Sequence, residues 1–335
     1  MSTDLTQASA VKSQKTPRGA AFDPVFRWLC AAAATLLLVS LGWVMVSLFI
    51  GGWPAIQKFG FGFLTTVTWN PVTEVYGGAG PIVGTLITGA LSLAMALPVA
   101  LGIAIFLVEF CPKMIARPVA IVVELLAGIP SIVYGMWGLF VFAPVFAQYV
   151  QTPILVAAAE LPEHKDFLTN LWFVPVHFLG LDSATPNGAN IFTASVILAI
   201  MILPYMAAVF RELFLTVPSH LRESSFALGS TPLETVTKVI MPYVGRGSIG
   251  VIMLGLGRAL GETMAVTFII GNTHVLPKSL FEPGSTIAST IANEFLEATT
   301  PMHNAALLAL GLVLFAITFS VLAIARTLLT SQKYT

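Results

Sequence analysis

Six stretches of this chain carry no Asp, Glu, Lys or Arg: 28–57, 75–108, 125–159, 183–210, 263–277 and 298–325. Nothing else in the 335 residues limits the fold as strongly. A soluble domain carries about 25% charged residues, whereas here the charged share is 10% and the apolar share 56%. A helix crossing a bilayer needs roughly 20 predominantly apolar residues, and all of its backbone bonds must close within the helix. The stretches predict an all-α membrane protein of six transmembrane helices, near 28–50, 80–108, 118–147, 191–215, 247–271 and 304–327. A water-soluble enzyme is excluded on composition.

Charge placement sets the orientation. Sixteen basic residues balance sixteen acidic ones, so no global excess points to nucleic acid. Counted by loop, twelve Lys and Arg fall on one side, among them Lys12, Arg27, Arg117, Arg211, Arg222, Lys238 and Arg326. Only Lys58, Lys165 and Lys278 fall on the other. Cytoplasmic loops carry the basic excess, which predicts cytoplasmic N- and C-termini. The first apolar run, 28–50, exceeds the length of a signal-peptide core and reads as an anchor. The polar residues 1–25 lack apolar periodicity and read as a disordered cytoplasmic tail, leaving 26–335 as the membrane domain. The opposite side holds the long loops 51–79, 148–190 and 272–303, which either dock an external partner or cap the bundle.

Several chemistries have no support. There is no GxxxxGK[ST] phosphate loop, so this chain is not expected to hydrolyse ATP itself. No HExxH occurs, and His164, His177, His220, His274 and His303 show no ligand spacing, so neither metal nor cofactor is expected. Cys30 and Cys111 make neither a disulfide framework nor a metal site.

The loop 211–246 holds start and stop signals for two short helices. Ser219 is a candidate cap for the first. Gly229-Ser230-Thr231-Pro232 closes it and opens the second, with Thr231 at the N-cap, Pro232 at N1 and Glu234 at N3. Pro242 is expected to end the second. A capped helical hairpin makes a rigid knob that another protein can grip. Glu223-Ser-Ser, Gly229 six residues after the Glu, and Val239-x-Met241-Pro242 resemble the coupling loop of ABC importer permeases. Ser224, Ser225, Val239 and Met241 stand where that pattern has Ala, Ala, Ile and Leu. The resemblance implies a coupling element over 216–246, with Glu223, Gly229 and Pro242 seated against an ATPase.

Two charges interrupt the fifth span. Arg258 and Glu262 lie at i and i+4, a spacing that lets side chains meet on one helix face. A central Arg costs about 2.5–3.5 kcal/mol on the insertion scale, so such residues face a bundle interior or a wet cavity. One reading is a fixed pair that neutralises itself. The other is a substrate pathway, in which the Arg258 fork grips a tetrahedral oxyanion and Glu262 restrains the arginine between cycles. An ionised Glu262 would also accept a hydrogen bond from HPO4(2−), which sulfate cannot donate. Gly250, Gly255, Gly257 and Gly261 supply small surfaces around the pair. In span three, Pro130 within Gly128-Ile-Pro-Ser131 removes a backbone bond and is expected to kink or interrupt the helix.

The run Gly255-Leu-Gly-Arg-Ala-Leu-Gly-Glu-Thr-Met-Ala-Val266, then Phe268-Ile-Ile-Gly-Asn272, resembles the PstC-type permease subunits of phosphate-specific ABC importers. So does Glu124-Leu-Leu-Ala-Gly-Ile-Pro-Ser-Ile-Val-Tyr-Gly-Met-Trp137. The likeness runs from about residue 25 onwards. It implies a type I ABC importer permease architecture with its core at about 80–327, in the inner membrane, moving phosphate by alternating access. Implied partners are a second homologous permease in a heterodimer, two copies of a cytoplasmic ATP-binding subunit, a periplasmic phosphate-binding protein and membrane lipid. Sulfate, molybdate or phosphonate is the alternative substrate. A secondary anion transporter is the rival class, though no internal repeat supports it.

Overall fold

The computed structural model describes residues 23–154, 188–277 and 279–331. Residues 1–22 of the tail expected over 1–25 and most of the loop 148–190 fall outside the described residues, and Asp23, Pro24 and Val25 are already helical. The chain divides into two units, 1–47 and 48–335.

Among the described residues, six helical stretches are long and apolar enough to cross a membrane: Pro24–Phe59, Ala79–Phe110, Ser131–Ile154, Ile191–Leu215, Pro232–Leu260 and Pro301–Ile324. The first helix, α1, runs Asp23–Phe59, and its side chains from Pro24 to Ser47 are exposed throughout. A short α2 (Gly62–Thr65) leads into an antiparallel hairpin in which β1 (Trp69–Asn70) pairs with β2 (Val75–Tyr76), Trp69 opposite Tyr76. The second span is α3 (Ala79–Ile105), continued by a π-wound turn, Phe106–Phe110.

The third span departs from its expected bounds. Residues Lys113–Ala127 form a separate helix, α4, which stops at Gly128. Pro130 then occupies the N-cap of α5 (Ser131–Trp137), and the span continues through two π-wound turns flanking α6 (Ala143–Phe146). The expected interruption at Pro130 is present, so the 118–147 span is two helices. The Tyr134 hydroxyl donates across the break to the Leu126 carbonyl at 3.1 Å, an oxygen that also accepts the Ile129 amide. Glu124 pairs with Arg211 at 3.6 Å.

The fourth span, α7 (Ile191–Leu215), is the axis of the core. Asn190 caps it through a 2.8 Å bond from the Thr193 amide. Its Ile197, Leu198, Met201, Ile202, Met206, Phe210 and Phe214 are almost wholly buried. They pack with Ala96, Ala100 and Ala104 of α3, whose small side chains let the two backbones approach. Beyond α7, the chain forms α8 (Ser219–Ala227) and α9 (Pro232–Thr235), then a π-wound turn, Val236–Ile240, and α10 (Met241–Leu260).

Pro242 does not end a helix, because residues 232–260 are continuously helical. The π-wound turn explains this. The Met241 amide reaches back five residues to the Val236 carbonyl, and Pro242 falls in the first positions of the α-wound segment, where its missing N–H costs little. Ser219 is the first helical residue of α8 and Pro218 holds the cap position, without a side-chain bond.

The expected fifth span also breaks. Helix α10 ends at Leu260, Gly261 caps it, and α11 spans only Met264–Ile269. A loop leads to α12 (Ile287–Glu294), and α13 (Pro301–Ser331) closes the chain. A second apolar cluster joins Ala55, Phe63, Tyr76, Ile287, Ala305, Ala306, Ala309 and Leu310 at the end of the bundle opposite the α8–α9 hairpin. Gly84 shows how tight that end is. A Cβ there would collide with the Ser285 carbonyl oxygen, beside the 2.9 Å bond from the Ile287 amide to the Thr85 hydroxyl.

Candidate functional site

Arg258 and Glu262 do not form the helical pair their spacing suggests. Gly261 ends α10 between them, so the i, i+4 relation of a continuous helix is lost. The Arg258 guanidinium lies over the Tyr205 ring, 5.6 Å from its centroid, and its Nε is buried without a hydrogen-bond partner. A cation over an aromatic face is stabilised by the ring quadrupole, but that contact uses none of the guanidinium donors. Glu262 faces another group. Its Oε1 accepts the Ala265 amide at 3.2 Å, a carboxylate at the start of α11. The arginine therefore keeps its fork free of a carboxylate within the span.

Of the four glycines near it, Gly255 packs against Met206, while Gly250 and Gly257 face open space. The α10 surface beside Arg258 is thus partly unfilled by the chain itself. Such an arrangement can hold an anion: a fixed cation, few competing acceptors, and room alongside.

At the basic end of the bundle, α8 and α9 form the expected hairpin. The Thr231 hydroxyl accepts the Glu234 amide at 3.3 Å, and Glu234 Oε2 accepts the Thr231 amide at 3.0 Å. Lys238 adds a 3.0 Å ion pair to Glu234. The two legs are locked by a buried 2.9 Å bond between the Ser225 and Thr235 hydroxyls. Gly229 turns the chain at φ +85°, a left-handed conformation that a side chain would strain. Glu223 is exposed and its side chain makes no hydrogen bond or ion pair with a described residue, and Phe226, Leu228 and Leu233 are exposed beside it. Leu228 is 87% exposed, which suits a surface covered by another protein. Of the three residues singled out here, Glu223 and Gly229 sit on the knob, while Pro242 lies in the continuous helix beyond it.

A third cluster was invisible in the sequence. Glu294, at the end of α12, takes hydrogen bonds from three directions: the Trp69 indole at 2.7 Å, His274 Nε2 at 2.6 Å and His303 Nε2 at 2.7 Å. Trp69 stacks on His274, and the buried Tyr76 ring stacks on His303. Burial alone would raise the Glu294 pKa, but the bonds from His274, His303 and Trp69, with the nearby His274 charge, outweigh it and hold the carboxyl below its usual range. The participants come from four separate segments, so no local spacing announces them. Among the described residues, no group of three or more His, Cys, Asp or Glu is placed to hold a metal.

Residues 110–331 match the family model described as "Binding-protein-dependent transport system inner membrane component". The chain is 49% identical, over 93% of its length and 91% of the relative, to a phosphate transport system permease protein PstC from Mesorhizobium japonicum. It is 46% identical to the PstC protein of Haemophilus influenzae, covering 97% of this chain and 98% of the relative. A probable PstC from Methanocaldococcus jannaschii is 34% identical over 80% of the chain and 81% of the relative. In architecture, the chain resembles one from the crystal structure of a bacterial alginate ABC transporter in complex with alginate pentasaccharide-bound periplasmic protein. That match has TM-score 0.56 and 18% identity, over 94% of this chain and 98% of the other.

Proposed function

The chain belongs to the family of binding-protein-dependent transport system inner membrane components and is a permease subunit of an ABC phosphate importer, and from that premise we propose how its residues divide the work. It is a multi-pass inner-membrane protein with the type I ABC importer permease fold. Permeases of this family work with an ATP-binding subunit and a substrate-binding protein. The proposed complex pairs this chain with a second, homologous permease, two copies of the ATPase and an external phosphate-binding protein, in a lipid bilayer. ATP is hydrolysed by the partner ATPases and not by this chain.

The proposed orientation puts the basic end, with the α8–α9 hairpin and both termini, in the cytoplasm. The core of about 80–327 carries the transport function, and the tail 1–25 lies outside it. The hairpin seats Glu223 and the exposed Phe226, Leu228 and Leu233 in the ATPase. Phosphate passes Arg258, whose fork donates to the anion once the external binding protein has delivered it. Glu262 is assigned here to capping α11, so it shapes the pathway without gripping the arginine.

The observation that carries the pathway assignment is the buried Arg258 Nε, unbonded and, among the described residues, in no ion pair with a carboxylate. The test is uptake of radiolabelled phosphate by proteoliposomes holding the reassembled complex, with and without ATP, in excess unlabelled sulfate. ATP-dependent uptake that sulfate fails to suppress, and that Arg258→Gln abolishes, is the expected result. Undiminished uptake in Arg258→Gln would remove Arg258 from the path. ATP-driven uptake of another oxyanion in preference would keep the architecture and discard the substrate.

A further inference from the structure

The hairpin is covalently continuous with two spans only. Through Val217 it joins the fourth, and through the helix 232–260 it joins the fifth. The second span, whose Ala96, Ala100 and Ala104 pack in the core, has no covalent link to it and has to be engaged by contact. Arg222 of α8 makes that contact. Its Nη2 donates to the Phe214 carbonyl at 2.7 Å, at the end of α7, where that oxygen also accepts the Val217 amide. Its Nε lies 3.1 Å from Glu109 Oε1, on the π-wound turn that ends the second span.

Both side chains are largely withdrawn from solvent, at 20% and 10% exposed. The Nε and Oε1 atoms are buried, and the approach is too poorly aligned for a hydrogen bond, so it is charge that holds them. Among the described residues, Arg222 supplies the polar side-chain contacts of α8 beyond the hairpin. A shielded pair of opposite charges resists separation far more than a solvated one.

We propose that Arg222 and Glu109 are the positioning pair through which movement of the hairpin reaches the second span. Neither touches substrate or nucleotide. They make a displacement of the knob move span two together with spans four and five. The proposal rests on reading the hairpin as the ATPase contact.

The test uses the complete complex in proteoliposomes, with phosphate uptake and ATP hydrolysis measured on the same vesicles. In Glu109→Gln and in Arg222→Gln, ATP consumed per phosphate should rise at least about fivefold, the low end of a typical coupling between sites, while the ATPase subunit stays bound. The double variant should be no worse than either single, since one interaction is lost once. A purely structural brace would lower the amount of complex and leave that ratio unchanged. Should Arg222→Gln fail to assemble, Glu109→Gln carries the test alone, and Arg222→Lys, which keeps the charge that holds the pair, should stay near the wild-type ratio.

An unchanged ratio in Glu109→Gln, or single losses that multiply in the double, would overturn the pair. Leu228→Asp distinguishes the two layers of the argument. If it leaves the ATPase bound at wild-type strength, the hairpin reading fails and this proposal with it. If binding is lost there while the ratio in the pair variants is unchanged, the pair alone is wrong.

Discussion

An arginine placed in a bilayer span is tolerated when its surroundings meet its charge, and at Arg258 the Tyr205 ring meets part of it. On the proposed pathway, the rest is met by the passing anion. Two charge-assisted hydrogen bonds to an oxyanion contribute about 1.5–3 kcal/mol each, so Arg258→Gln should lower ATP-dependent phosphate uptake by at least about 100-fold. Arg258→Lys, with a point charge and no fork, should recover part of it. Glu294 makes a second case. Its folded pKa is depressed, so its contribution is complete above the ordinary value of 4.5 and lost as pH falls through the lower, folded value. Thermal unfolding of the purified complex should therefore show an acid limb below pH 4.5 that Glu294→Gln shrinks. Glu294→Ala should cost about 2–3 kcal/mol, because the buried indole and imidazole donors lose their acceptor. The sequence exposed Arg258 at once, since a charge in an apolar run stands out. It hid Glu294, because Trp69, His274 and His303 meet it only after four distant segments have folded together.

Elements were legible wherever their signals are local. The capping box at Thr231 and Glu234, the turn at Gly229 and the interruption at Pro130 each depend on a few adjacent residues, and each is present. Reading failed where one local rule overrode another. Pro242 looked like a helix stop, but a π-wound turn just before it absorbs the missing donor. Arg258 and Glu262 looked like a helical pair, but Gly261 is itself a stop signal, and it won. Two outcomes belong at this scale. Thr231→Ala should weaken the start of α9 by about 1 kcal/mol, read as roughly fivefold faster amide exchange at Glu234 and Thr235. Gly84→Val should disrupt the packing of α3 on the Ser285 backbone and lower the yield of folded protein, because the obstacle is main chain and cannot swing aside.

For the whole molecule, six apolar runs were enough to give the architecture, since a bilayer leaves a chain few other options. Orientation rests on the basic excess at one end, and the two native cysteines test it. Cys111 is partly exposed at the basic end and Cys30 is in the first span. A membrane-impermeant thiol reagent should label Cys111 from the cytoplasmic face only, and Cys30 from neither; labelling of Cys111 from outside would reverse the assignment. The unbroken helix from Pro232 to Leu260 has a thermodynamic consequence. Lys238 on the hairpin side and Arg258 in the span ride on one rod, about 30 Å apart at 1.5 Å per residue. Linkage makes any free energy passed along such a rod symmetric. On the proposed reading of the two ends, whatever nucleotide does to anion affinity at Arg258, a bound anion does to nucleotide affinity by the same factor, so an occupied path would announce itself to the motor before any ATP is spent.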